Sequence, residues 1–508
     1  MKTSPFPGLS RRSFVARVGA GAAGAFVYGS LASRLRAEAA AVVIPDDILF
    51  TSAKRLAKMI QDRKISSVEL LTAYYRRIDE VNPKLNAVVF FCRERAFQEA
   101  KAADDALAQG RSFGPLHGVP CTIKDSHETL GIKSTGGTLG RKDYIPTRDA
   151  ACVARVRAAG AIMMGKTNTP ELTLSGMTTN LIYGKTHNPY KIGYQPGGST
   201  GGGGSIIAAG GSPFDIGSDF GGSIRGPAHF NGITGLKPST GRVPRTGHIV
   251  DYGGYFDPFQ VVGPLARWVE DLELIGDLIR GPDYVDAAIV PAPWLDPRAV
   301  DLKKLRVAYY INNGSAKGPT PETAAAVKRA AEIFTAAGAS VVEDCPAALI
   351  KESSDLRNAL SSADGRAWVK RLLKKYGTTE VSPVISLADE PRATTARFTE
   401  LAELMDANRS KFLQWFGQYD LILSPVMQGP AEPWPDQPRA MQPDAANFGQ
   451  TTVYNNTGWP GTVVRAGTSP DGLPIGVQLI AHPMREDVSL AAAYLVEAGT
   501  GGYQKPVI

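Results

Sequence analysis

Three side chains carry the chemistry this sequence offers: Lys124, Ser199 and Ser223. Ser199 sits in Gly197-Gly198-Ser199-Thr200-Gly201-Gly202-Gly203-Gly204-Ser205; Ser223, 24 residues on, sits in Asp219-Phe220-Gly221-Gly222-Ser223-Ile224-Arg225-Gly226. A serine hydroxyl is a poor nucleophile until a base takes its proton. Histidine is the usual base, yet a lysine serves when burial strips its ammonium of water and lowers its pKa towards neutrality. Lys124 leaves the apolar run Val119-Pro120-Cys121-Thr122-Ile123, where such desolvation is expected. Around Ser223, consecutive N–H groups with two glycines can turn into a concave nest, the shape an oxyanion hole requires. A nucleophile attacking a carbonyl there would meet several donors at once. Spacing alone leaves open which serine attacks.

The elements that must hold these groups follow from patterning. Glycines at this density cost backbone entropy, so they belong where φ is positive or where something approaches the chain closely. Ile206, Ile207, Phe214, Ile216, Phe220 and Ile224 argue against a flexible linker, and Ile206 to Gly210 has the length of one or two helix turns. Residues 116–125 read as a turn entering a short buried strand that ends in Lys124 and Asp125. Ala151 to Ala159 reads as a helix, Ala161 to Gly165 as an apolar strand and Lys166 to Glu171 as a loop. Residues 305–310, 321–337 and 340–343 form a βαβ pattern. Tyr419 to Pro425 and Gly476 to Ile480 are further buried strands. Near the start, residues 52–61 and 66–75 show apolar spacing of three and four, with Ser66 and Glu69 as a capping box, and a third helix runs from about 93 to 109. The expectation is one large α/β domain over residues 40–508. Its central sheet is mixed, mostly parallel and twisted, with helices on both faces; residues 280–410 form a peripheral βαβ and helical covering region.

Composition narrows the function. The chain has 508 residues, 43% apolar and 21% charged, with a net charge of +7. Residues 1–39 hold a surplus of five positive charges, leaving +2 for the rest and no basic stripe for nucleic acid. Ser10-Arg11-Arg12-Ser13-Phe14-Val15, a Gly- and Ala-rich apolar run and a small-x-small site near Ala39 mark residues 1–39 as a twin-arginine signal. The mature chain is expected in the bacterial periplasm or medium, without stable membrane insertion. Four scattered cysteines (Cys92, Cys121, Cys152, Cys345) make no disulfide framework, and six histidines show no zinc spacing. No metal or cofactor is expected.

The residues resemble the amidase signature family, which includes bacterial amidases, fatty acid amide hydrolase and the A chain of amidotransferases. The likeness runs through Pro115-Leu116-His117-Gly118-Val119-Pro120, Ile123-Lys124-Asp125, Gly165-Lys166-Thr167-Asn168-Thr169-Pro170-Glu171, both glycine-serine runs, Gly235-Leu236-Lys237-Pro238-Ser239 and Gly472-Leu473-Pro474-Ile475-Gly476. The resemblance implies that Ser223 is the nucleophile, that Ser199 bridges after a cis Gly198–Ser199 bond, and that Lys124 is the base. It implies Phe220, Gly221 and Gly222 as oxyanion donors, and Ser218, Asp219 and Arg225 as a supporting polar shell. Thr173, Ser175 and Met177 fall in its substrate-contacting segment. The implied reaction is hydrolysis of carboxylic amides, with esters or carbamates as further candidates, through an acyl-enzyme. A small-molecule amide is the expected partner, and a homodimer is left open. Three positions depart from the family pattern: Thr200 replaces serine, Gln260 stands where many members carry aspartate, and Trp459 replaces leucine. A pocket bounded by Met177, Tyr183, Trp459 and the aromatics of residues 250–259 (Tyr252, Tyr255, Phe256, Phe259) would favour an apolar or aromatic substrate.

Rival readings are weaker. Gly197-Gly198-Ser199-Thr200-Gly201 also fits the nucleophile elbow of α/β-hydrolases, with His229, His248 or His482 as base. A phosphate loop would need a lysine that the glycine run lacks. An amidotransferase A-like component of a glutamine-dependent complex shares the three residues, but the twin-arginine segment argues against its cytoplasmic work.

Overall fold

Strands with no polar face need cover on both sides, and the strand ending at Lys124 is buried at every residue. The computed structural model describes residues 46–250, 254–387, 391–440 and 445–508. The expected signal segment and Tyr252 lie outside the described residues. Eleven strands form one sheet: β1 (Val88–Phe91), β2 (Pro120–Lys124), β3 (Ile162–Thr167), β4 (Phe214–Asp219), β5 (Thr234–Lys237), β6 (Val261–Ala266), β7 (Arg306–Tyr309), β8 (Ser340–Glu343), β9 (Leu421–Pro425), β10 (Gly461–Thr468) and β11 (Pro474–Ala481). Their order is β1-β3-β2-β4-β6-β5-β10-β11-β9-β7-β8.

The sheet is mixed, as expected, but not mostly parallel. β3-β2-β4 and β9-β7-β8 are parallel, and the other six pairings are antiparallel. The reason is connection length. β10 and β11 are joined by a turn across residues 469–473, closed by Ser469 N donating to Leu473 O, and a link that short permits only antiparallel pairing. β6 then enters between β4 and β5, antiparallel to both. The strands without an apolar run, such as Phe-Asp-Ile-Gly-Ser-Asp in β4 and Thr-Gly-Leu-Lys in β5, give no strand signal in the sequence.

Other elements follow the pattern closely. The Ser67–Leu85 helix carries the expected Ser66–Glu69 capping box, and the βαβ pattern appears as β7, the Pro321–Ala336 helix and β8 at the sheet edge. β3 extends two residues past the expected strand and takes in Lys166 and Thr167. The covering helices, Ala347–Ser362, Ala367–Tyr376 and Thr395–Phe416, occupy the region expected to be helical.

The glycine run becomes the helix Gly201–Ala208. None of its four glycines has positive φ; close approach explains them. A Cβ on Gly202 would lie 2.4 Å from the Asn168 amide nitrogen, and one on Gly203 would lie 2.8 Å from the Asp215 carboxyl carbon. This helix therefore lies tight against β3 and β4, which delivers Ser199 to the carboxyl ends of the parallel strands.

Candidate active site

Parallel strands place their carboxyl ends side by side, which is where open α/β sheets bind ligands. β2 ends in Lys124 and β4 in Ser218 and Asp219, and the two strands pair directly. Lys124 is fully buried. Its Nζ lies within hydrogen-bond distance of three hydroxyls: Ser199 Oγ at 2.6 Å, Ser218 Oγ at 3.0 Å and Thr200 Oγ1 at 3.1 Å. Burial lowers its pKa from 10.5 to about 7, against the attraction of Asp215 and Asp219. The lysine is thus close to half free amine at neutral pH, with a serine hydroxyl in hydrogen-bond contact. Thr200, the departure from serine, retains its hydroxyl in this contact set.

The Gly198–Ser199 peptide is cis. Thr200 N donates to Ser223 O at 3.2 Å, which ties the two serine loops together. Among the described residues, Ser223 Oγ has no hydrogen-bond partner, and it faces a cavity of about 250 Å³. That cavity is also lined by Thr173, Ser175, Phe220 and Gly221. Met177 instead lines a second cavity of about 510 Å³, with Gly197, Gly198 and Phe230; Gly176 lies at the border of both.

The loop before Ser223 is held from below by an ion pair. Asp219 and Arg225, both fully buried, meet at 3.0 and 3.1 Å, and Asn455 Nδ2 donates to Asp219 Oδ1 at 2.8 Å. Burial alone would raise the Asp219 carboxyl; the Arg225 charge and these hydrogen bonds outweigh it and hold the group well below the ordinary range. The same carboxylate accepts from the amides of Gly222 at 2.8 Å and Ile224 at 3.1 Å. This corrects the expected donor set: the Gly222 N–H points at Asp219 and not at the cavity, in a loop whose φ of +122° at this position suits glycine. The Gly221 and Ser223 amides have no partner among the described residues, and Gly221 faces the cavity. The Gly221 carbonyl accepts from Thr451 Oγ1 at 2.7 Å. The Phe220 carbonyl accepts from Arg357 at 3.3 Å, with the guanidinium 4.2 Å from the Phe220 ring centre. Arg357 lies in the covering helices, in a stretch whose helical pattern carries no site signal. Sequence reasoning missed it.

The cavity wall differs from the expected one. Phe220, Phe256, Trp368, Val369, Val384 and Ile385 form its apolar side. Trp459 is buried, with its ring 4.8 Å from Phe416 and 5.1 Å from Phe412, in a separate core cluster. Tyr183 and Phe259 do not line the cavity either; Phe259 is fully buried beside Phe220.

The histidine elbow finds no support in the geometry. His229 is bonded to the main chain of Gly429 and Gly476, and His482 to that of Tyr419. His248 meets Ser218, not Ser199. Among the described residues, no cluster of metal-ligating side chains is present and all four cysteines are free thiols. No described helix is long and apolar enough to cross a membrane.

Comparison with known proteins gives the family of the chain. The family model described as Amidase matches residues 69–490. Human "Fatty-acid amide hydrolase 2" is 32% identical over 501 residues, covering 91% of this chain and 91% of that protein. The A chain of the glutamyl-tRNA(Gln) amidotransferase of Moorella thermoacetica is 32% identical over 482 residues, covering 89% and 97%. Among solved structures, 6-aminohexanoate cyclic dimer hydrolase superposes with a TM-score of 0.77 at 28% identity, covering 89% of this chain and 97% of that one.

Proposed function

Because this chain belongs to the amidase signature family, we propose that it hydrolyses carboxamides by a relay from Ser223 through Ser199 to Lys124. Ser223 Oγ attacks the amide carbon, and its proton passes to Ser199 Oγ while the Ser199 proton passes to Lys124 Nζ. The tetrahedral oxyanion meets the Gly221 and Ser223 amides, with Phe220 as the third expected donor; preorganised donors of this kind are each worth about 3 kcal/mol of barrier. The proton then returns along the same path to the leaving nitrogen, the carbon–nitrogen bond breaks, and water releases the acyl group from Ser223. One observation carries the reading: a buried lysine within 2.6 Å of Ser199 Oγ, with no histidine on either serine among the described residues.

The test combines labelling with substitution. A fluorophosphonate should attach to Ser223, found by peptide mapping, and Lys124→Ala should abolish turnover. Labelling at Ser199, or near-normal activity in Lys124→Ala, would overturn the relay. The apolar cavity wall supports an apolar or aromatic substrate portion, so anilides and fatty amides should turn over faster than acetamide; nitrophenyl esters and carbamates complete the panel. Similarity to an amidotransferase chain favours a second reading, in which the protein works in a glutamine-dependent complex. Turnover of simple amides by the purified chain alone separates the two. We further propose export by the twin-arginine route, supported by Arg11-Arg12 and the apolar run that follows. Fractionation of bacterial cells should show loss of periplasmic enzyme when both arginines become lysine.

A further inference from the structure

Behind Lys124 lies a side chain that the relay does not use. His248 is buried, 4% exposed. Its backbone is fixed to the segment that follows Lys124: His248 bridges His127, Ile249 N donates to Ser126 O at 2.8 Å, and Glu128 N donates to Gly247 O at 2.8 Å. The ring is held at both ends. Nε2 lies 3.0 Å from Ser218 Oγ. On the other side, Nδ1 lies 3.3 Å from the Val250 amide nitrogen and 2.8 Å from Gln260 Nε2.

A backbone N–H can only donate, so the Val250 amide requires Nδ1 to be the unprotonated, accepting nitrogen. The Gln260 amide nitrogen, as a second donor, agrees with it. In a neutral imidazole the proton then sits on Nε2 and is donated to Ser218 Oγ. Ser218 is left with its own hydroxyl proton to place. Among the described residues its Oγ has two partners, His248 and Lys124, and His248 is already donating. The remaining acceptor is the lone pair of Lys124 Nζ, 3.0 Å away. An ammonium has no lone pair and a free amine has one. Thr200 adds no second demand, since its hydroxyl proton is directed to Ser218 O at 3.4 Å.

We propose that His248 is a positioning residue for Lys124: locked in its Nε2–H tautomer by Val250 and Gln260, it turns the Ser218 hydroxyl proton onto Lys124 Nζ and so favours the free amine. The inference rests on Lys124 being the base of the relay. During turnover the amine rotates about its Cε–Nζ bond to offer the lone pair to Ser199 Oγ; the Ser218 hydroxyl proton is then without an acceptor, which disfavours the ammonium and returns the proton towards the leaving nitrogen. Other titratable groups face the pair without hydrogen-bonding to it, and burial keeps His127, edge-on to the His248 ring at 5.0 Å, neutral. Asp215 and Asp219 on β4 act on Lys124, while His127, Arg141 and Arg245 act on His248, which burial keeps neutral. Arg245 is paired with Asp257 and Asp286.

The experiment is a cycle of pH–rate profiles on the full chain. Gln260→Glu puts a carboxylate opposite Nδ1; its charge outweighs the longer, 3.3 Å contact from the Val250 amide, so Nδ1 takes the proton and Nε2 becomes the acceptor. Ser218 turns to His248, and its lone pairs welcome the lysine ammonium. The acid limb of kcat/KM should move up by about one pH unit, a ten-fold loss at pH 6 with little change on the alkaline plateau. His248→Gln keeps an amide donor at the Nε2 position and cannot switch tautomer. It should retain the wild-type limb, and Gln260→Glu in that background should shift the limb far less, through charge alone. The thermal midpoint of each variant confirms folding. Equal shifts in both backgrounds, or a limb moved as much by His248→Gln as by Gln260→Glu, would overturn the proposal. Lys124→Ala is run alongside. Retained activity there sinks the relay itself, whereas a limb that exists but ignores residues 248 and 260 sinks only the role of His248.

Discussion

A lysine that titrates near neutrality in the folded enzyme must weaken the fold at low pH, and this can be measured without any substrate. Lys124 has its pKa lowered from 10.5 to about 7, with burial as the largest cause. Between those values the unfolded chain binds a proton that the native enzyme does not, so native stability rises with pH across this window. Below about 7 both states carry the proton and the cost is constant; above about 10.5 it is absent. A shift of this size corresponds to roughly 5 kcal/mol, at about 1.36 kcal/mol per pH unit. Lys124→Met keeps the side-chain length and removes the titration. Relative to wild type, the methionine variant should gain about 4 kcal/mol as pH falls from 10 to 7. For a unit of roughly 460 residues, at about 2.1 cal/mol/K per residue, this is about 4 °C of melting midpoint. Calorimetry at a fixed scan rate, at pH 7, 8.5 and 10, reads the difference between variant and wild type. The lost hydrogen bonds to Ser199, Thr200 and Ser218 set its absolute level, and Lys124 sets its slope. A difference independent of pH would show that Lys124 titrates alike in both states, and the desolvation argument would fall. The rate profile gives a parallel reading: kcat/KM of the wild type should drop ten-fold per unit below pH 7.

Three further substitutions test the frame around the site. Asp219→Asn leaves Arg225 buried without its partner and should cost about 3–5 kcal/mol in denaturant unfolding, with loss of most activity. Gly202→Ala places a methyl 2.4 Å from the Asn168 amide nitrogen, a clash with backbone that should cost on the order of 1–3 kcal/mol and displace Ser199; an unchanged melting midpoint would refute the close-packing account. Arg357→Met frees the Phe220 carbonyl and should lower kcat about ten-fold with KM little changed, since the loop would hold its donors less firmly.

The chemistry was legible in the sequence to an unusual depth, and the geometry shows why. Lys124 ends a strand whose apolar residues announce burial, and each serine lies in a glycine run that stands out locally. The ion pair of Asp219 and Arg225 spans six residues, so it too falls within one motif. Ser66 and Glu69 report their helix for the same reason: the contact is local. Where the signal is an apolar run, as in β2, β9 and β11, the strand is visible; where the strand is made of small and polar residues, as in β4 and β5, it is not.

What the fold alone decided involves residues far apart in the chain. Gln260, a departure from the family pattern, meets His248 only twelve positions away, but it bears on Lys124 because Ser218 of β4 brings that histidine and the lysine together from 30 and 94 positions away. Arg357 reaches the Phe220 carbonyl across 137 positions, and Trp368 walls the cavity from a helix that the sequence marks only as covering. Trp459 goes the other way, expected in the pocket and found among Phe412 and Phe416. The parallel content of the sheet was overestimated because strand direction depends on how connections close, not on the residues inside the strand. Local chemistry, with its resemblance to a known family, marked Lys124, Ser199 and Ser223. Only the packing of distant elements set Arg357 on the Phe220 carbonyl, the cavity wall and the histidine behind the lysine, because hydrogen bonds and apolar contacts between remote segments leave no periodic trace in a single chain.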